Sequence, residues 1–336
     1  MSEVGKPAAR TALIVITYNS RKFFARLAAS IAVQTDQNFQ LVVWDNGSRK
    51  TERPLAADFP DGAVIVQCEE NIGFASANNR AAELVESEFI VLLNPDAFPE
   101  ADWLATLVET ANHWPDTGGV GSTQIMDEDP TRYDGLGDCY YAAGIAWRGG
   151  YGWPRRSLVN DGTEAFSACA AAALYRRMAW DAVGGFDERF FAYCEDVDLG
   201  FRLRLAGWRI RQAARAVVRH VGGGTSGKQS DFAIFYGTRN RLWTFAKCMP
   251  TGLAWLLLPA HVAMTFAFLG ISPFRGTGPA TWRGVGAAIV GIMPVLHARR
   301  NVQRSRKAST ATMAWAFTWN PIRLVRRQPS CWNKSA

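Results

Sequence analysis

The chain has 336 residues, 48% hydrophobic, 12% aromatic and 20% charged, a composition that excludes a disordered protein and gives enough length for one large domain or two. Its six cysteines (Cys68, Cys139, Cys169, Cys194, Cys248 and Cys331) include no close pair, which argues against a zinc site or a disulfide framework and fits a reducing cytosol. The net charge of +7 is unevenly placed: 14 Lys and Arg and no acid follow Asp231, so residues 1–231 carry −7 and a purely basic stretch comes after them.

The first ten residues are polar and the apolar run at 12–16 is too short for a signal-peptide core, so the N-terminal part is expected inside the cell. That run, ALIVI, suits a strand buried on both faces of a parallel sheet. It delivers Thr17, Tyr18 and Asn19 to the C-terminal edge, where open α/β sheets bind ligands. Ser20 is placed to cap a helix reaching about residue 34, with Phe23, Phe24, Leu27 and Ile31 on one face. The pattern recurs at 41–44, which ends in Asp45-Asn46-Gly47, and at 64–66. Between Asn71 and Asn79 lie Gly73 and small residues that permit close backbone approach, with amides at Asn71, Asn78 and Asn79 suited to hydroxyls or carbonyls.

Residues 89–93 (FIVLL) form a fourth buried strand and bring Asn94, Pro95 and Asp96 to the same edge; 102–113 reads as a surface helix. From 118 to 164 glycines and aromatics follow no clean period. Tyr140, Tyr141, Trp147, Tyr151 and Trp153 there can stack on a ligand, although each singly reads as ordinary loop packing. A short helix at 176–183 precedes Gly184, Gly185 and Phe186. Glu195 and Asp196 then open a helical pattern through Leu205. Acids at a helix start need no function beyond the dipole, but aromatic walls desolvate a carboxylate and raise its pKa toward that of a general base. Strands are expected at 208–210 and 217–219, the second ending at His220, before Gly222, Gly223 and Gly224, whose N–H groups suit phosphate oxygens.

A helix over 232–247 contains Arg239, Asn240 and Arg241. Residues 253–271 carry no formal charge and are long enough to cross a bilayer, but Pro259, His261 and Thr265 leave two readings, a hairpin dipping into one leaflet or a helix buried under the catalytic part. A shorter apolar run at 285–296 leads into Arg299, Arg300, Arg304, Arg306 and Lys307, a pairing that favours an anionic membrane surface.

Four segments, Thr17-Tyr18-Asn19, Asn71-Ile72-Gly73-Phe74 with Asn78-Asn79, Asn94-Pro95-Asp96, and Glu195-Asp196-Val197-Asp198-Leu199, stand in the order of the motifs of inverting glycosyltransferases of the GT-A fold. Residues 11–245 resemble family 2 of these enzymes, which includes rhamnosyltransferases and galactofuranosyltransferases. The resemblance implies an α/β GT-A domain at 11–231, a Rossmann-like mixed sheet with helices on both faces. A basic, apolar, membrane-associating helical region would follow at 232–308, and a loosely ordered basic tail at 309–336. It implies that Thr17, Tyr18, Asn19, Asp45, Asn71, Gly73, Asn78, Asn94 and Asp96 bind a nucleotide-diphosphate sugar, Asp45 at the base or ribose. Asp96 and His220 would hold a divalent cation, Mg²⁺ or Mn²⁺, although Asn94 replaces the first acid of the usual Asp-x-Asp and removes one charge. Asp196 is the implied general base, with Glu195, Asp198 and Trp153 positioning the acceptor or the helix. The implied reaction moves rhamnose from a dTDP donor to a lipid-linked or polysaccharide acceptor at the cytoplasmic face of the plasma membrane, by a peripheral or monotopic protein. Nothing resembles a nucleic-acid fold, so nucleic acid is not an expected partner. The alternative is a catalytically silent nucleotide-sugar-binding membrane subunit, against which the joint presence of Asp96, Asp196 and His220 speaks.

Overall fold

A computed structural model describes residues 9–156, 160–222 and 230–329. The β-branched runs become strands because they are buried on both faces, and the chain alternates them with helices through its first third: β1 (Thr11–Thr17), α1 (Phe24–Ala32), β2 (Phe39–Asn46), β3 (Val64–Cys68), α2 (Phe74–Ala82), β4 (Phe89–Leu93), β5 (Ala97–Pro99) and α3 (Trp103–His113). Short strands then dominate: β6 (Thr117–Met126), β7 (Tyr133–Gly135), β8 (Asp138–Tyr141), β9 (Ile145–Arg148), β10 (Thr163–Glu164) and β11 (Ala172–Arg176). They are followed by α4 (Arg177–Val183), α5 (Glu195–Leu205) and β12 (Arg209–His220), and by a helical region of α6 (Asp231–Cys248), α7 (Thr251–Ile271), α8 (Gly278–Val290), α9 (Ile292–Arg304), α10 (Thr310–Ala316) and α11 (Pro321–Val325).

Among the described residues one mixed sheet runs in the order β10-β12-β6-β11-β4-β1-β2-β3, with β5 added to β12 and β7 to β6. β4, β1, β2 and β3 are parallel, β11 is antiparallel to both β4 and β6, and β12 is parallel to β6. The period of two along β1 feeds two cores. Leu13 and Val15 pack with Leu27, Ile31, Trp103 and Leu107 on one face; Ala12, Ile14 and Ile16 pack with Ala77, Ala81, Trp180, Leu199 and Leu203 on the other. Helices therefore cover both faces, as expected.

Several expectations change. Ser20 makes no side-chain cap: a 3-10 turn at Arg21–Phe23 precedes α1, and the Ser20 hydroxyl is buried with no partner among the described residues. The stretch with no clean period contains β6, whose glycines make room for neighbours instead of contributing apolar side chains. A Cβ at Gly121 would stand 2.6 Å from Gln212 Oε1. The two strands expected around 208–210 and 217–219 are one, β12, with an irregularity between Ala213 and Val217.

The C-terminal helices are fused to this body. Met313, Ala316 and Phe317 share a core cluster with Tyr140, Phe166, Phe201, Leu253 and Leu257. Backbone bonds from Thr318 N to Tyr140 O (2.8 Å) and from Ala142 N to Thr318 O (3.0 Å) join the tail to the β8–β9 hairpin. The tail is thus ordered from Ser309 to Pro329, contrary to expectation, and residues 330–336 lie outside the described ones. α7 is a single helix through Pro259, not a hairpin. Its stripe of Leu253, Leu257, His261 and Leu269 is buried, with His261 stacked on Phe245 at 3.9 Å, while Trp255 (73% exposed), Leu256 and Phe266 face outward. α7 is long and apolar enough to cross a membrane, and α8 and α9 meet at a bend of 61°.

Candidate active site

The C-terminal ends of β1 and β2 are laced together. Thr17 Oγ1 donates to Asp45 Oδ1 (3.1 Å), Ser48 N donates to Asp45 Oδ2 (3.2 Å), and both Thr17 and Asp45 are buried. Asn19, at φ 48°, takes Ser48 Oγ on its backbone N–H (2.8 Å) and offers its Oδ1 to Arg49 N (3.0 Å); Tyr18 beside it is exposed. Asn46 Nδ2 donates to Asn71 Oδ1 (3.0 Å), which also accepts from Gly73 N (2.9 Å). Gly73 is required twice, by its φ of 87° and because a Cβ there would stand 2.7 Å from the Phe191 ring. Asn78 is buried with its amide on Phe74 O (2.8 Å) inside α2, so it faces the fold and not this edge. Asn79 instead clasps the backbone of Phe186, 2.9 Å to its N and to its O.

Asn94, after β4, turns the chain so that Asp96 stands just before β5, and β5 pairs with the end of β12. That pairing sets His220 Nε2 3.4 Å from Asp96 Oδ1, with both residues buried. His220 Nδ1 lies 2.7 Å from Asp134 Oδ2, and Arg148 Nη1 bonds the same carboxylate. Burial disfavours the imidazolium, but the hydrogen bonds to Asp134 and Asp96 prevail and hold the His220 pKa above its ordinary value. An oxygen and an imidazole nitrogen 3.4 Å apart are spaced as two neighbouring ligands about 2.0–2.2 Å from one cation. A carboxylate behind the other ring nitrogen is the usual orienting partner of a metal-binding histidine. The residues therefore fit a divalent ion. Of the glycine run, only Gly222 lies within the described residues.

Asp196 is half-buried in the first turn of α5; its Oδ2 accepts from Ala170 N (3.1 Å) and its Oδ1 from Val197 N (2.8 Å). Burial raises its pKa, and the backbone N–H groups and the charge of Arg148 pull part of the way back. Glu195 is 7% exposed with Oε2 lacking a partner among the described residues; burial and the Asp196 charge raise its pKa well above the ordinary value. Asp198 points the other way, fully buried against Arg202 Nε (2.8 Å) and Lys247 Nζ (2.7 Å). Trp153 donates to Arg326 O (2.9 Å) and packs on the cluster of Ile125, Tyr133, Leu136 and Val217. The structure thus brings together Thr17, Asn19, Asp45, Asn71 and Gly73, joins Asp96 to His220 and pairs Glu195 with Asp196, while Asn78, Asp198 and Trp153 are engaged elsewhere.

The loop that delivers Asp196 is strained: Phe191, Tyr193 and Cys194 have φ of 65°, 68° and 63°, values L-residues seldom adopt. Asn240 of α6 holds it, with Nδ2 reaching Phe190 O (2.9 Å), Ala192 O (2.9 Å) and Tyr193 O (2.7 Å). Arg239 adds bonds to Arg189 O and Phe190 O, 2.9 Å each. Sequence reasoning named Arg239, Asn240 and Arg241 on this helix without assigning any of them this role. It also missed Asp134, Asp138 and Arg148, which sit in the stretch without a period, and Cys169.

The family model for glycosyl transferase family 2 matches residues 12–184, just over half of the chain. The chain belongs to glycosyl transferase family 2. The match ends ahead of Asp196 and His220. An N-acetylglucosaminyl-diphospho-decaprenol L-rhamnosyltransferase of Mycobacterium tuberculosis is 29% identical over 234 residues, 62% of this chain and 75% of that protein. The O-antigen chain rhamnosyltransferase WbaN of Salmonella anatum is 26% identical over 212 residues, 62% of this chain and 65% of that one. Among solved structures, the mannosyltransferase PcManGT from Pyrobaculum calidifontis, in complex with GDP-Man and Mn²⁺, superposes with a TM-score of 0.53 at 19% identity, covering 90% of this chain and 88% of that one. S. aureus TarS 1–349 does so at 0.54 and 15% identity, covering 93% of each. With the mixed sheet and its two helical layers, these likenesses establish the GT-A fold, and this family 2 member is a glycosyltransferase of rhamnosyltransferase-like type.

Proposed function

We propose that the protein is an inverting glycosyltransferase that moves rhamnose from dTDP-rhamnose to a lipid-linked or polysaccharide acceptor at the cytoplasmic face of the plasma membrane. The observation that carries this reading is Asp196, a carboxylate held by two backbone N–H groups, half-buried, with a raised pKa, on a strained loop that touches the Gly73 turn. Its ionised oxygen takes the proton of an acceptor hydroxyl as the acceptor oxygen attacks the anomeric carbon and the bond to the diphosphate breaks on the opposite face. Thr17, Tyr18, Asn19, Asp45, Asn71, Gly73 and Asn94 line the donor side, with Asp45 toward the base or ribose; Glu195, whose Oε2 is unpartnered among the described residues, turns toward the acceptor. Asp96 and His220 would hold Mg²⁺ or Mn²⁺, oriented by Asp134. When bound, the ion offsets charge developing on the leaving diphosphate. The two rhamnosyltransferase relatives support the sugar, and the prenyl-diphosphate named for one supports a lipid-linked acceptor.

The membrane reading rests on a set of exposed apolar side chains in the C-terminal helices. Trp255 and Phe266 of α7, Phe274 (92% exposed) after it, Val290 (87% exposed) and Met293 at the α8–α9 bend, and Trp315 of α10 are uncovered. The exposed Arg300, Arg304 and Lys307 follow in the sequence and would each contribute about 1 kcal/mol at an anionic surface, whereas Arg299 is turned onto the carbonyls that end α6.

A panel of nucleotide sugars, each scored for thermal stabilisation and for transfer to a polyprenyl-diphosphate sugar, tests the donor and acceptor; transfer from dTDP-rhamnose alone is expected. Asp196→Asn should lower kcat by about 10²–10⁴-fold with donor affinity kept, and Glu195→Gln should be milder. A dead Glu195→Gln beside an active Asp196→Asn would exchange their roles. Donor binding without transfer to any acceptor would leave only the nucleotide-sugar-binding subunit.

A further inference from the structure

The β8–β9 hairpin brings a third carboxyl to the base. One side-chain ligand atom each of Asp138, Cys169 and Asp196 lie within 4.8 Å of one another. The spacing is fixed through Ser167. Asp138 N donates to Ser167 O (2.9 Å), Ser167 Oγ donates to Asp196 O (2.7 Å), and Gly200 of α5 leaves Ser167 the room that a Cβ would fill. Asp138 is 7% exposed, and its Oδ2 has no partner among the described residues.

Among the described residues, Arg148 is the cation that faces this group. The Arg148 side chain lies across Gly135, where a Cβ would come within 2.5 Å of its Cγ, and its guanidinium bonds Asp134 directly while its charge reaches Asp138 and Asp196. That guanidinium, already bonded to the Asp134 that His220 also faces, does not balance both the buried Asp138 and the half-buried Asp196, so the pair keeps a proton. The other titratable groups facing it are Cys169 before β11, Tyr175 on β11, and Cys194 and Glu195 at the start of α5. Burial pushes the Cys169 thiol up to about 12 and raises Tyr175, Cys194 and Glu195, so none of them supplies a balancing positive charge. The same thiol, kept protonated beside Arg148, makes the cluster a poor metal site.

The two carboxyls are not equivalent. Asp196 receives two backbone N–H donors, which favour its ionised form, and Asp138 Oδ2 receives none among the described residues. We propose that Asp138 is a positioning residue that keeps the shared proton, so that the pair enters the reaction with Asp196 ionised and Asp138 neutral. The inference rests on Asp196 being the base. During turnover the acceptor proton passes to Asp196, the pair then holds two protons, and one leaves to solvent before the next cycle. Burial and the neighbouring Asp196 charge raise Asp138 well above the ordinary carboxyl range, which agrees with this order.

The test is kcat against pH for the full chain with dTDP-rhamnose and a polyprenyl-diphosphate acceptor, in wild type, Asp138→Asn, Asp138→Glu and Asp196→Asn. The acid limb reports ionisation of Asp196. If Asp138 is neutral there, the equally neutral amide of Asp138→Asn leaves that limb in place while kcat falls by about three- to tenfold. The higher step, at which the wild-type pair loses its last proton, disappears in Asp138→Asn and returns in Asp138→Glu. A fall of the acid limb by about a pH unit or more in Asp138→Asn would mean that Asp138 is already an anion, and overturns the proposal. A profile identical to wild type at both ends overturns it as well. Should Asp138→Asn fail to melt cooperatively, Asp138→Ser supplies the same contrast. An active Asp196→Asn sinks the base assignment itself, whatever the Asp138 variants do.

Discussion

Asn240→Ala isolates what holds Asp196, the proposed base, in place. Asn240 is fully buried, and its amide nitrogen is shared by three carbonyls of the loop that ends at Glu195. In the variant, Phe190 O keeps Arg239, while Ala192 O and Tyr193 O lose this donor. A buried polar group stripped of a bond costs about 1–3 kcal/mol, so two give at most about 2–6 kcal/mol if the loop stays put, less for these half-buried carbonyls. It has reason not to stay: each of the three left-handed residues stores about 1 kcal/mol or more that relaxation would recover. Both routes have a signature. A rigid loop gives a lower melting temperature with kcat largely kept; a relaxed loop gives a smaller loss of stability and moves Asp196, for which a shift of about 1 Å costs about 10²-fold in rate. The relaxed outcome is expected, with nucleotide affinity unchanged because the Thr17, Asp45 and Asn71 contacts are made without α6. The assay combines melting, nucleotide titration and kcat on one preparation. A variant with wild-type melting and wild-type turnover would refute the clamp.

Chelation with EDTA should abolish transfer and Mg²⁺ or Mn²⁺ should restore it; full activity in chelator would remove the cation from the reading, and His220→Ala should weaken Mn²⁺ binding in a direct titration. The protein should sediment with anionic vesicles and partly release in high salt, and Trp255→Glu with Phe274→Glu should reduce sedimentation at constant melting temperature; unchanged partitioning would exclude that face. A chain cut after Lys247 would lose Leu253, Leu257, Met313 and Phe317 from a core cluster, together with the Arg299 bond to Ala246 O (3.0 Å), so it should aggregate, and a soluble nucleotide-binding fragment would contradict this packing. Glu195 has a folded pKa above its unfolded value, so its contribution to stability is full below the unfolded pKa and is lost as pH rises through the folded one; Glu195→Gln should therefore flatten the decline of melting temperature with rising pH, and parallel curves would show that Glu195 titrates normally.

The parts of this site that were legible in the sequence are those made by local chemistry. Buried parallel strands write themselves as continuous β-branched runs, and the residues just after each run land at the ligand edge, so Thr17, Asp45, Asn94 and Asp96 could be placed by counting. The acids opening α5 were legible in the same way, as a helix start. Asp134, Asp138 and Arg148 were not, because the strands that carry them have three or four residues and because β6 beside them uses glycine for closeness where a periodic strand would use valine. The pairing of His220 with Asp96 depends on β5, three residues long, whose existence is decided by β12 and not by its own composition.

The charge step after residue 231 marks where acids end, and it does not mark where packing ends. Asn240 closes over a loop about fifty residues upstream. Lys247, fully buried, bonds Asp187 (2.5 Å) and Asp198 (2.7 Å) on either side of the base. Arg299 of α9 in turn covers the carbonyls that end α6, Met249 O among them at 2.6 Å. A force applied to the exposed face of α7 to α9 thus has a bonded route through α6 to the carbonyls that shape the turn before Asp196. The helices that present Trp255 and Val290 outward therefore meet the loop before Asp196 through α6, by way of Arg299.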